Sequence, residues 1–296
     1  MTDLDLGRIG AWSHLDGLSA AEAAAFARRS EEVGYGTLWV PETVGREPFV
    51  SLALLAGSTS RMKLGTSIAS IWARDAQAAR QSALTLAEAT GGRFVLGLGV
   101  SHAHLAERLR GHHYEKPLTR MREYLAAYRA AVWKGPMAPE PPVLLAALRP
   151  RMLALSATDA DGAYPYLVTP PRVTEMRALL DAVAPGRTLA VTMAVVLETD
   201  ATAARAAARA YLAPYLRTPN YQASWSLQGF DATDWEKPGS DRLVDEMVAW
   251  GEVGAVRERL AAFHAAGADH VAIIPIAPDG SDEHLPTLEA LAGLPG

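Results

Sequence analysis

Eight short, almost uninterrupted apolar runs recur along the 296-residue chain, each followed by a stretch with helical start and stop signals. Runs of this kind suit strands buried on both faces, the condition of a parallel strand covered by its own crossover helix. The first four are Arg8 to Trp12, Thr37 to Pro41, Met62 to Ser67 and Arg93 to Gly99. The second four are Val143 to Ala146, Gly162 to Val168, Thr188 to Glu198 and His270 to Ile276. Ser19 with Glu22 three residues on reads as a capping box for the first helix, which Gly34 ends. Phe49 to Thr59 reads as the second, and Asp75 opens a third that Gly91-Gly92 closes. Pro117 starts a long fourth with Gly135 beyond its end, and later helices open at Pro150, at Pro170-Pro171, at Ala201 and at Ser281. Eight β–α pairs over this length predict an α/β chain folded as one (β/α)8 barrel across residues 1–296. A doubly wound open sheet is the alternative that such alternation allows.

One stretch breaks the rhythm. Pro214 to Gly239 is rich in Gln, Asn, Ser, Gly and Trp, and it precedes helical patterns at Asp241 to Trp250 and Val253 to Ala266. It reads as a long irregular connection after strand seven, and long connections in compact domains usually serve as lids or binding loops. Segment 214–252 is therefore expected to be an insertion that acts as a lid.

Composition removes several function classes. A net charge of −5 argues against a nucleic-acid binder, which needs a clustered basic surface. The absence of Cys removes disulfides, thiolate metal sites and Cys nucleophiles. Met1 to Gly10 has neither the basic start nor the apolar stretch of a signal peptide, and the longest apolar runs, such as Val271 to Ile276, are too short to span a membrane. The expectation is a soluble, cytoplasmic protein with a small-molecule substrate and no nucleic-acid or membrane partner.

In such barrels the chemistry sits where strands end. Those positions hold Trp12, Ser13 and His14; Glu42 and Thr43; Thr66, Ser67, Ile68, Ser70 and Trp72; Gly99, Val100, Ser101, His102 and His104; Ala147, Leu148, Arg149 and Pro150; and Thr169. They contain no carboxylate cluster for glycoside hydrolysis and no Lys for a Schiff base. His102-x-His104 is the one metal-like spacing, but the later strand ends supply no further His or Asp, so no metal is expected. A mouth that is apolar and aromatic, with small residues and hydroxyls between, suits a flat, uncharged ring system. Gly97 and Gly99 leave room for close backbone approach, either by a ligand or by a neighbouring strand. The Leu148-Arg149-Pro150 turn opens a helix whose unpaired N–H groups suit a phosphate, with Arg149 able to add charge.

Four pieces of the chain resemble the luciferase-like flavin and deazaflavin oxidoreductases, the group related to bacterial luciferase. They are Gly34-Tyr35-Gly36-Thr37-Leu38-Trp39-Val40-Pro41-Glu42, Leu64-Gly65-Thr66-Ser67-Ile68, Gly92-Arg93-Phe94-Val95-Leu96-Gly97-Leu98-Gly99-Val100-Ser101-His102, and Ala146-Ala147-Leu148-Arg149-Pro150-Arg151-Met152. They fall in the family's order and at strand ends two to five. The resemblance implies a TIM barrel and, from the compact length, the branch that uses coenzyme F-420, with FMN as the alternative cofactor. It implies a bulge after strand three with a non-prolyl cis peptide at Ser67–Ile68, a plain trans bulge being the alternative. It further implies that Thr66, Ser67 and Ile68 back the ring and that Glu42 meets its polar edge. Gly99, Val100 and Ser101 would line the ribityl chain, and Ala147, Leu148, Arg149 and Pro150 would hold the phosphate. The acid–base His that some members place after the strand-two carboxylate is replaced by Thr43. His102 is therefore the expected proton donor or hydrogen-bond partner near the reactive ring carbon, while Trp12, His14 and Trp72 wall the substrate side. The implied activity is hydride transfer between F-420 and a small substrate with an activated C=C, C=O or C=N bond. An FMN-dependent monooxygenase and a catalytically silent flavin-binding protein are the rival readings. A homodimer is the family expectation.

Overall fold

A computed structural model describes residues 4–281 and 283–293. Its strands are β1 (Ile9–Trp12), β2 (Thr37–Val40), β3 (Lys63–Thr66), β4 (Ala69–Ser70), β5 (Phe94–Gly99), β6 (Val143–Leu145), β7 (Gly162–Ala163), β8 (Thr188–Val196), β9 (Val248–Trp250) and β10 (His270–Pro275). Neighbours run β1, β2, β3, β5, β6, β7, β8, β10, and β10 pairs with β1 as well as β8, all in parallel. The eight apolar runs are thus the eight staves of a closed parallel barrel, not of an open sheet. Outside it pack α1 (Ala20–Glu32), α2 (Pro48–Leu55), α3 (Ala76–Ala89), α4 (Pro117–Ala130), α5 (Pro150–Asp159), α6 (Pro170–Val183), α7 (Ala201–Leu212), α11 (Val253–Ala265) and α12 (Leu285–Ala290). The sequence signals act as expected at Ser19, which forms a reciprocal capping box with Glu22, and at Asp75, which accepts from Ala78 N. Among the described residues no helix is long and apolar enough to cross a membrane.

Four local expectations are corrected. The sixth stave ends at Ala163 rather than Val168, because Pro165 has no N–H to continue a ladder. The stretch expected to be irregular instead contains α8 (Pro219–Ser226) and α9 (Ala232–Trp235), followed by α10 (Asp241–Met247). Pro219 starts α8 at the first position, and Asp231 and Asp234 form a capping box for α9. Val248–Trp250 is not the end of a helix but β9, paired with Ala194–Val196, the part of β8 that extends beyond its two-residue pairing with β7. The last helix begins at Leu285 with His284 as its N-cap, three residues beyond the expected cap at Ser281.

The barrel interior is filled by large rings set against glycines. Trp39 is wholly buried and its ring lies 4.6 Å from that of Tyr164, on the far side of the barrel. A Cβ on Gly65 would come within 2.4 Å of the Trp39 ring, so only glycine fits there. The Trp39 indole N–H donates to His270 Nε2 at 2.9 Å, and His270 Nδ1 lies 2.6 Å from the Gly7 carbonyl. That carbonyl can only accept, so Nδ1 carries the proton and Nε2 is the acceptor. Gly10 makes room for this ring, since a Cβ there would lie 2.6 Å from Nε2.

Candidate active site

β3 pairs with β5 only through Leu64 and Gly65. Beyond them the Thr66 hydroxyl replaces the ladder, donating to Gly97 O at 2.8 Å and accepting from Gly97 N at 2.9 Å. The chain passes through a cis Ser67–Ile68 peptide and rejoins β5 as β4, with Ala69 beside Leu98 and Ser70 beside Gly99. A Cβ on Gly97 would lie 2.0 Å from Thr66 O, and one on Gly99 would lie 2.1 Å from Ile68 Cδ1. The room left by these glycines is therefore filled by the bulge itself. Ser67 and Ile68 stay half-buried at the mouth. Ser67 N donates to Val40 O at 2.8 Å, and Ser67 Oγ accepts from Trp12 Nε1 at 2.9 Å.

The rim beside the bulge is electrostatically closed. The Glu42 side chain is only 6% exposed. It accepts from Arg74 Nη1 and Nη2 at 2.9 and 2.8 Å, from Arg110 Nη2 at 3.1 Å and from Ser70 N at 2.7 Å. Its carboxylate is thus committed to protein donors that tie β2, β4 and the loop after β5 together. Trp72 also packs into this rim. Its indole donates to Val100 O at 2.8 Å, and its ring lies 5.6 and 5.8 Å from His112 and Tyr114. The structure does not bring it to Trp12 and His14, which meet edge to face at 4.6 Å. Those two border a cavity of about 480 Å³, whose other walls include Ala206, Ala207 and Ala210 of α7 and Ile276 after β10.

After β5, Ser101 takes a left-handed conformation (φ +54°), and its carbonyl accepts from the Tyr114 phenol at 3.3 Å. His102 O then accepts from Leu105 N and Ala106 N, which starts a π-helical turn over Leu105–Leu109. The His102 ring stacks 5.9 Å from His104 and lies 5.2 Å from Tyr221 of α8. Burial, and secondarily the adjacent His104, pull its pKa down to about 4, so the ring is neutral near neutral pH. After β6, Ala147 and Leu148 are buried while Arg149 and Pro150 are exposed. Arg149 is the N-cap of α5 with no side-chain cap, and Pro150 occupies the first turn. Burial raises the Tyr114 phenol pKa, and the charge of Arg149 pulls it back.

Sequence reasoning missed a group of tyrosines on the opposite side. Tyr166 Oη hydrogen-bonds to Tyr211 Oη and, at 3.0 Å, to Tyr215 Oη. Tyr221 packs on them, with its ring 5.1 Å from that of Tyr215. Burial raises the pKa of all four phenols. Tyr211 also borders the cavity. Tyr166 is held in place by the turn that follows it, where Leu167 is left-handed (φ +55°). Gln228 braces that turn, accepting from Thr169 N at 2.8 Å and donating to Leu167 O at 3.3 Å. Two signals were readable: Tyr211 and Tyr215 are four apart on α7 and its continuation, and Tyr164 and Tyr166 alternate after the sixth stave. Among the described residues no three His, Asp or Glu side chains converge as a metal site would require.

Against known proteins, the pattern of the luciferase-like monooxygenases matches residues 4–270. A Mycobacterium tuberculosis protein named as a coenzyme F-420-dependent oxidoreductase is 28% identical, the match covering 96% of this chain and 97% of that one. Among solved structures, the coenzyme F-420-dependent tetrahydromethanopterin reductase of Methanopyrus kandleri superimposes with a TM-score of 0.75 at 15% identity, covering 97% of this chain and 98% of that one. The oxygenating constituent of 3,6-diketocamphane monooxygenase from Pseudomonas putida, solved with FMN, gives a TM-score of 0.72 at 16% identity, covering 97% of both chains.

Proposed function

The chain belongs to the luciferase-like monooxygenase family, and from that premise we propose that it is an F-420-dependent oxidoreductase acting on a small organic substrate with an activated C=C, C=O or C=N bond. The observation that carries this reading is the Ser67–Ile68 bulge, seated on Gly97 and Gly99 and half-buried at the mouth beside the Trp12-lined cavity. It offers a firm, uncharged support for a flat ring. When bound, F-420 supplies the two-electron hydride chemistry, and the protein supplies position and shielding. Ser67, Ile68, Gly99, Val100 and Ser101 would hold the ring and ribityl chain, with Thr66 fixing the bulge from behind. Ala147, Leu148, Arg149 and Pro150 would hold the phosphate, because the exposed Arg149 charge stands at the positive end of the α5 dipole. Trp12 and His14 would bound the substrate. His102, neutral near pH 7, serves as a hydrogen-bond partner at the ring rather than as a store of acid. Within segment 214–252, the part ahead of β9 serves as the lid, a reading supported by Tyr221 against His102 and by Gln228 on the loop after β7.

Titration of the purified protein with F-420 and with FMN, followed by absorbance and fluorescence, tests the reading. Saturable binding of F-420 in preference to FMN is expected. Preference for FMN moves the chain to the monooxygenase reading, which the FMN-bound Pseudomonas putida structure favours. Binding of neither refutes both.

A further inference from the structure

We propose that Tyr211, backed by Tyr166 and Tyr215, is the residue that donates a proton to the oxygen of a ketone- or enone-class substrate held in the cavity between Trp12 and α7. The proposal rests on the oxidoreductase reading and narrows it from any activated double bond to a carbonyl compound.

The cavity, at about 480 Å³, lies within the range of small-molecule sites, and its α7 wall is made of Ala206, Ala207 and Ala210. Such a wall accepts a carbon skeleton but offers it no hydrogen bond. Tyr211 stands one residue beyond that alanine face and borders the same space. Its hydroxyl is one end of a three-phenol chain with Tyr166 in the middle. A phenol has a single proton to donate. When Tyr215 donates to Tyr166 and Tyr166 donates to Tyr211, the Tyr211 proton is left for a further acceptor, and of the two chain ends only Tyr211 lines the cavity. Trp12 sets the other limit, since the same indole that borders the cavity is tied to Ser67 of the bulge. The cavity and the ring support thus share Trp12, with Tyr211 at the cavity's α7 wall.

The chemistry follows from the relative basicities. As the carbonyl carbon of a ketone, or the β-carbon of an enone, gains the hydride that reduced deazaflavin supplies, the displaced π pair ends on the carbonyl oxygen, giving an alkoxide or an enolate respectively. That oxygen takes the Tyr211 proton, Tyr166 returns one to Tyr211, Tyr215 returns one to Tyr166, and a proton from solvent restores the Tyr215 phenol. The substrate gains two electrons and two hydrogens in all, and the deazaflavin is oxidised by two electrons. A phenol is acidic enough for an alkoxide, and hydrogen bonds from its neighbours stabilise the phenolate as it forms. His102 is poorly placed for this task, because its neutral ring carries no readily released proton at working pH.

The test uses the full chain without added cofactor and cyclohex-2-enone as the probe, with the infrared C=O band of the bound enone as the readout. The wild-type protein is expected to bind the enone with its band moved to lower frequency than in apolar solvent. Tyr211→Phe should return the band to the apolar position and weaken binding roughly tenfold, as for loss of one hydrogen bond. Tyr166→Phe, which keeps the Tyr211 proton, should retain part of the shift. With F-420 present, Tyr211→Phe should lower kcat roughly a hundredfold and leave F-420 affinity unchanged. Absence of enone binding, an unshifted band in the wild type or an unaltered band in Tyr211→Phe overturns the proposal. The wild-type measurement decides the matter even if the variants fold poorly. Failure of F-420 to bind would refute the oxidoreductase reading while leaving the carbonyl shift untouched, so the two outcomes are separable.

Discussion

Replacing His270 by Asn should change how stability depends on pH, and the direction follows from the barrel interior. His270 is wholly buried, and that burial pulls its pKa from 6.5 to about 4, against the hydrogen bond to Gly7 O that raises it. In the unfolded chain the ring titrates near its ordinary value, so between pH 6.5 and about 4 the unfolded state binds a proton that the folded state refuses. Stability is therefore undiminished above that window, falls as the pH drops through it and levels off below. A depression of this size corresponds to about 3 kcal/mol of stability lost across the window. His102 is depressed in the same sense and adds to the wild-type slope, but it is common to both proteins. Asn in place of His270 keeps a donor for Gly7 O and leaves the Trp39 N–H without its acceptor, at about 1–3 kcal/mol. Urea unfolding followed by tryptophan fluorescence at several pH values should find the variant less stable near neutral pH. The gap should then narrow or reverse by about pH 4.5, as the wild type alone loses the His270 contribution. Parallel stability curves would refute the assignment of a neutral, proton-refusing His270.

Three further outcomes are expected. Glu42→Gln leaves Arg110 facing an uncharged partner and Arg74 with Glu47 as its remaining carboxylate, in a rim where Glu42 is 6% and Arg74 13% exposed, and should cost about 1–3 kcal/mol in denaturant unfolding. It should also raise hydrogen exchange in the loop after β5. Gly97→Ala places a Cβ 2.0 Å from Thr66 O, a backbone atom that cannot rotate away. Thermal unfolding should register about 1–3 kcal/mol of overpacking, and F-420 affinity should fall with it. Arg149→Ala removes a charge at the start of α5, so F-420 affinity should drop roughly tenfold in isothermal titration. A deazaflavin that lacks the phosphate should bind both proteins equally, and a matching loss for that ligand would remove the phosphate role.

The barrel was legible because its staves are apolar on both faces, a pattern that local sequence carries whole. β5 and β10 begin within a residue of their apolar runs and end at most a residue short of them. Local signals also foretold the helix starts at Ser19, Asp75 and Pro150. What escaped depended on partners far away in the chain. Glu42 is legible as a carboxylate at a strand end, whereas its partner Arg110, 68 residues on, is not. Trp72 is legible as an aromatic at the mouth, whereas the Val100 carbonyl that takes its N–H is not. The sixth stave misled for a local reason, since an apolar run through Val168 hid the stop at Pro165 and kept Tyr166 off the strand-end positions. The insertion misled through composition, because its polar residues masked the Pro219 and Asp231 helix starts.

That short sixth stave separates two duties that most barrel strands combine. Gly162 and Ala163 alone pair with β6 and β8, so the ring is closed at the foot of the strand. Tyr166 stands beyond the ladder, and a change there removes no sheet hydrogen bond. The other side of the mouth is built oppositely, with Thr66 and Gly97 knit directly into backbone. Point changes around Tyr166 and Tyr211 can therefore reshape one side of the mouth without loosening the barrel, while changes at Thr66 or Gly97 disturb the ladder itself.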